Sequence, residues 1–83
     1  MVLYVWKPQY ILVEEQRFSP ELGAYRSYGI MAVRLSSQRR ESLAYVRDIS
    51  TDRALVAALV RRCNRSGLSP VHLRDFILDT LGN

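Results

Sequence analysis

The chain has 83 residues, 48% of them apolar and 24% charged, with a formal net charge of +4 in which eleven arginines and one lysine outweigh eight carboxylates. That length holds one core and so one domain over residues 1–83, and the composition excludes an intrinsically disordered chain, which carries far less apolar surface. Cys63 is the one cysteine, so no intrachain disulfide can form and a reducing cytoplasmic location is expected.

The opening run Met1 to Trp6 is apolar, but it is too short to span a bilayer and lacks the basic start and cleavage site of a signal peptide. No membrane or targeting segment is expected, and residues 1–8 read as an N-terminal arm or an edge strand turning at Lys7, Pro8 and Gln9. Residues 9–49 read as a β-meander. Its first strand, 9–18, carries Tyr10, Ile11, Leu12 and Val13, and Ser19-Pro20-Glu21-Leu22-Gly23 supplies a turn. The second, 24–35, carries Tyr25, Tyr28, Ile30, Met31 and Val33, with Gly29 marking a bulge or a close approach. A polar loop follows, and 42–49 gives the third strand.

Pairing Ala24 with Phe18 and Leu35 with Ser42 assigns the faces. Ile11, Val13, Met31, Val33, Leu35, Ala44 and Val46 then share one face, expected to meet the helices. The opposite face collects Tyr10, Leu12, Glu14, Gln16, Arg26, Tyr28, Ile30, Arg34, Leu43, Tyr45 and Arg47, which is too apolar for a purely solvated surface.

Residues 50–81 read as a helix-turn-helix corner. Ser50 is the expected cap of the first helix, whose stripe is Leu55, Val56, Leu59, Val60 and Cys63. Gly67 suits the left-handed position past its end, with Leu68 folding back on Cys63. Ser69 then caps a second helix with Pro70 at its first position, running to about Leu81 with Leu73, Phe76, Ile77 and Leu81 inward. The expected fold class is α+β: an antiparallel three- or four-stranded meander followed by two C-terminal helices packed on one sheet face.

Chemistry is thinly represented. Ser69, His72 and Asp75 have the residue types of a hydrolytic triad, but all lie at one helix start, where Ser69 serves as a cap and no second element brings a base to a nucleophile. His72, Asp75 and Asp79 share one helical face but supply too few ligands for a closed zinc site, and no glycine-rich phosphate loop is present. No catalytic, cofactor or metal residues are expected.

Surface patches remain. Tyr10, Leu12, Tyr28, Ile30, Leu43 and Tyr45 on the outer face are the candidate interface, because Tyr and Arg are enriched at binding hot spots and the aliphatic residues would give a dry centre. The same tyrosines beside Arg26, Arg34 and Arg47 have the makings of a sheet that stacks RNA bases. A third reading pairs Glu14 and Glu15 with arginines across strands and leaves the face solvated. Arg61, Arg62 and Arg65 form the densest basic group and the candidate anion site, although cations in a last helical turn also complement the helix dipole without any ligand.

Tyr28-Gly29-Ile30, Asp48-Ile49-Ser50 and the run Leu68-Ser69-Pro70-Val71-His72-Leu73-Arg74-Asp75 resemble a small family of uncharacterised bacterial proteins, a domain of unknown function. The resemblance covers most of residues 9–81 and implies a shared fold of strands followed by two helices. It brings no catalytic residue, cofactor or substrate. The functional expectation is a non-enzymatic protein-interaction domain, either a homo-oligomer or bound to an unidentified protein partner. The alternative is weak binding of single-stranded RNA through the Arg and Tyr surface.

Overall fold

The computed structural model describes residues 8–35 and 39–82. The expected N-terminal arm or edge strand thus lies, save Pro8, outside the described residues. Three antiparallel strands, β1 (Gln9–Ser19), β2 (Gly23–Leu35) and β3 (Arg40–Ser50), form one open sheet in the order β1-β2-β3. Two helices follow, α1 (Arg53–Ser66) and α2 (Leu73–Leu81), and both pack against the sheet. The α+β meander with two C-terminal helices is therefore the observed fold.

Local chemistry sets the connections. In the β1–β2 turn the Ser19 hydroxyl accepts from the Glu21 amide at 3.2 Å, and Gly23 takes a left-handed φ of 75°. The β1–β2 register runs unbroken from Gln9 opposite Val33 to Ser19 opposite Gly23, and includes the expected pairing of Phe18 with Ala24. β3 carries two irregularities. Leu43 is an extra residue between the pairs Val33–Ser42 and Ala32–Ala44, and Arg47, Asp48 and Ile49 together oppose Gly29. Gly29 is thus the bulge glycine. A Cβ there would run into the Val46 carbonyl oxygen and sit 3.1 Å from the Arg47 Cα, so the bulge can close only over a residue without a side chain.

The bulge at Leu43 keeps Ala44 and Val46 under the helices, as expected, but exchanges the faces of β1 and β2 that accompany them. Leu35 pairs with Arg40 rather than Ser42, which preserves the expected parity at the loop end, but one extra residue in β3 then sets Ala44 opposite Ala32 and Val46 opposite Ile30. A one-residue slip exchanges every side chain between the two faces. Tyr10, Leu12, Tyr28, Ile30 and Ala32 therefore join Ala44 and Val46 under the helices, where Val56, Leu59 and Cys63 of α1 and Leu73 and Ile77 of α2 complete the core. Ile11, Val13 and Met31, expected beneath the helices, lie on the opposite face.

The helix ends differ from expectation in detail. Asp52, not Ser50, caps α1: its carboxylate accepts from the Leu55 amide at 3.2 Å, while the Ser50 hydroxyl accepts from the Asp52 amide at 3.0 Å. The acidic side chain wins because its charge meets the positive helix end. Leu55 is more than a third exposed and stands at the margin of the stripe. At the other end Gly67 is left-handed, at φ 65°, and the Leu68 amide donates to the Cys63 carbonyl at 3.3 Å, as the corner sequence requires. Gly67→Val is expected to cost about 1 kcal/mol or more, since a β-branched side chain is strained at this φ. Urea melts check it, and an unchanged midpoint would refute the corner assignment. Ser69 makes no side-chain cap. Its carbonyl accepts from His72, closing a 3-10 turn over Pro70–His72 that α2 continues. Leu81, expected inward, is also more than a third exposed.

Candidate interaction surface

The helix-free face of the sheet is built from the odd-numbered residues of β1 and β2. Ile11, opposite Met31, which on its other side pairs with Tyr45, and Val13, opposite Gly29, form its apolar part, with Ile11, Val13, Met31 and Tyr45 each half-buried. Toward the hairpin the face becomes polar. Glu15 accepts from the Tyr45 hydroxyl at 2.7 Å and lies 3.6 Å from the Arg47 guanidinium, which also stacks 5.1 Å above the Tyr45 ring. Burial pushes the Tyr45 phenol above its ordinary pKa, and the hydrogen bond to Glu15 adds to this.

The next polar group forms around the strained residue of the bulge. Asp48 is the only non-glycine residue with positive φ among those described, at 54°. This conformation turns its carboxylate back over β2, where the buried Ser27 hydroxyl donates to it and the Arg17 guanidinium lies 3.6 Å away. Arg17 is held charged by its hydrogen bond to Tyr25 first and by Asp48 second. Asp tolerates the left-handed region better than most residues, which accounts for its place here.

Of the expected interface residues, Tyr45 and Leu43 remain accessible, Tyr45 on this face and Leu43 at the bulge. Tyr10, Tyr28 and Ile30 do not: they are 2%, 8% and 0% exposed beneath the helices, and Leu12 packs against the same cluster. The stacking platform dissolves with them. Its arginines are also committed, since Arg26 lies 3.9 Å from Glu14, Arg34 donates to Glu41 and Arg47 pairs with Glu15. The reading in which Glu14 and Glu15 pair with cross-strand arginines matches this geometry.

Tyr10 has a structural role instead. Its hydroxyl donates to the Leu68 carbonyl, and the Asn64 side chain clamps its backbone, Oδ1 accepting from the Tyr10 amide at 2.8 Å and Nδ2 donating to the Tyr10 carbonyl at 3.0 Å. Burial, with the Cys63 thiol as a lesser cause, pushes the Tyr10 phenol up to about 12, and burial likewise raises the Cys63 thiol. The sequence reading missed Asn64. An Asn in the last turn of a helix resembles a solvated polar residue, and only the fold brings it to a strand 54 positions away.

The basic group at the end of α1 is brought together in part. Arg62 and Arg65 line a shallow, open hollow with Ser66, of about 390 Å³, and Arg62 stacks 5.2 Å above the Phe76 ring. A second open groove, of about 350 Å³, runs between α2 and the β3 bulge, with Val46 and Ile49 on one side and Leu78 and Leu81 on the other. His72, Asp75 and Asp79 do not converge, and among the described residues no three His, Cys, Asp or Glu side chains are placed to hold a metal ion. Among the same residues no helix is long and apolar enough to cross a membrane.

No curated protein and no solved structure matches the chain. A family model does, over residues 4–83, nearly the whole chain. The strands, the bulge glycine, the left-handed corner and the clamp on Tyr10 all lie within that match, and the chain belongs to DUF6514, a family of unknown function.

Proposed function

We propose that this chain is a protein-association domain that acts without chemistry of its own. The observation that carries the reading is the helix-free sheet face, where an apolar group of Ile11, Val13, Met31 and Tyr45 is bordered by charges that already neutralise one another: Glu15 with Arg47, and Arg17 with Asp48. Arginines paired in this way release few counterions from a nucleic acid, whereas an apolar centre with a tyrosine and satisfied polar groups suits a protein surface.

Met31→Glu sets an unpaired charge in the centre of that face without touching the helix core. It is expected to leave thermal unfolding within about 1 kcal/mol of the parent, as surface substitutions do, while abolishing association through this face. Sedimentation across concentrations and retention of proteins from a lysate of the source cells, each run on parent and variant, make the comparison. A parent chain that stays monomeric and retains nothing that the variant loses would overturn the reading.

A second reading rests on Arg61 and Arg65, which have no carboxylate partner among the described residues, beside the Arg62 hollow. If the group contacts phosphate, replacing Arg61, Arg62 and Arg65 by alanine lowers the salt slope of single-stranded RNA binding by about 2 units, near 0.7 per contact. No anisotropy change at low salt would remove nucleic acid from consideration.

A further inference from the structure

We infer that the free edge of β1 pairs with the same edge of a second copy of this chain, in one register, with Gln16 opposite Gln16 across a two-fold axis. This rests on the association reading and adds to it a second contact, at the sheet edge, which Met31→Glu leaves intact. In the order β1-β2-β3, β1 has a neighbour on one side only among the described residues. The Asn64 clamp shows which backbone groups face the open side: the Tyr10 amide and carbonyl point away from β2. Backbone direction alternates along an antiparallel strand, and the β1–β2 register is unbroken, so the amides and carbonyls of Leu12, Glu14, Gln16 and Phe18 point the same way. Among the described residues none of these groups is bonded to another element. Asn64 closes the edge at Tyr10, and among the described residues nothing covers it from Leu12 to the hairpin.

Charge selects the register. Outward-pointing residues must face one another for the backbone bonds to form, which leaves few symmetric alignments clear of the clamp. Centring on Glu14 sets Glu14 against Glu14. Moving the axis by a single residue sets Glu15 against Glu15 or Arg17 against Arg17. With Gln16 opposite Gln16, Glu15 of each chain faces Arg17 of the other at non-hydrogen-bonded positions, where side chains approach most closely, and Glu14 faces Phe18. Phe18 is 76% exposed in the single chain, and this pairing gives it a neighbour. Because the axis is perpendicular to the sheet, the two sheets join as six strands and both helix-free faces turn to the same side.

The register makes a specific demand of Glu15 and Arg17. Glu15→Arg alone sets two guanidinium groups face to face across the axis, and Arg17→Glu alone sets two carboxylates face to face. Sedimentation should therefore show each variant dimerising about tenfold or more weakly than the parent. Mixed in equal amounts, the two variants restore the opposite charges and should form a mixed dimer as tight as the parent's. Gln16→Pro removes the central amide donor on the solvent side of an edge strand, where proline is tolerated, and should abolish the dimer while circular dichroism stays unchanged. A parent chain that is monomeric at about 1 mM overturns the pairing. So does a dimer indifferent to all three substitutions, but such a dimer would leave the association reading intact and move its contact elsewhere. If both single variants unfold, Gln16→Pro decides alone.

Discussion

Tyr10→Ala is expected to destabilise the domain by about 3 to 5 kcal/mol, the usual cost of removing a buried ring, and enough to unfold much of a chain this small. The ring is nearly inaccessible in the core, and its hydroxyl ties β1 to the corner carbonyl of Leu68. Tyr10→Phe keeps the ring and loses only that bond, at about 1 kcal/mol. The phenol also gives the domain an alkaline limit. With the folded pKa pushed up to about 12 and an unfolded value near 10, the unfolded chain has released this proton between those values while the folded chain still holds it. Folding stability is then unaffected by Tyr10 below pH 10 and falls as pH rises toward 12. The Tyr10→Phe protein should lose less stability than the parent over that window. Urea melts of the three proteins at pH 7 and 11 test this, and a Tyr10→Ala protein as stable as the parent would mean that the ring is not in the core.

Gly29→Val should cost about 3 kcal/mol, at the upper end for overpacking, because what the new side chain meets is backbone. A flexible side chain can swing away from an intruder, but the Val46 carbonyl and the Arg47 Cα belong to the bulge itself. Relief would require the three residues opposite Gly29 to re-register, which would withdraw the Asp48 carboxylate from Ser27 and Arg17. Chemical denaturation gives the energy. Loss of the Asp48–Ser27 proximity, seen as a changed environment at Ser27 by NMR, gives the mechanism. A variant that melts with the parent would show the close approach to be dispensable.

The turn chemistry was legible in the sequence because its signals are local. Gly67 and Leu68 fix a corner with four or five adjacent residues, and the β1–β2 pairing follows from a short turn that Ser19 and Gly23 close. Which face meets the helices was not legible. Both faces of β2 are apolar, Tyr28, Ile30 and Ala32 on one and Met31 and Val33 on the other, so alternation alone leaves the choice to the β3 register. That register turns on one extra residue, Leu43, in a strand with no glycine to announce a bulge there. The candidate interface inherited the error, and four of its six residues lie in the helix-covered core. Asn64 and Asp48 gain their roles from partners far away in the chain, which no local pattern reveals.

The clamp on Tyr10 also bears on how the chain reaches this fold. The meander forms from neighbouring strands, and the helical corner forms from consecutive residues, so each half can assemble through short loops. The contacts of Asn64 and Leu68 with Tyr10 span 54 and 58 positions and fasten the last turn of α1 to the first strand. These contacts can close only once both halves exist, which makes them late bonds on the folding route. Weakening them is therefore expected to shorten the lifetime of the folded molecule more than it delays its formation, with the packed core between the layers bearing the rest of the load.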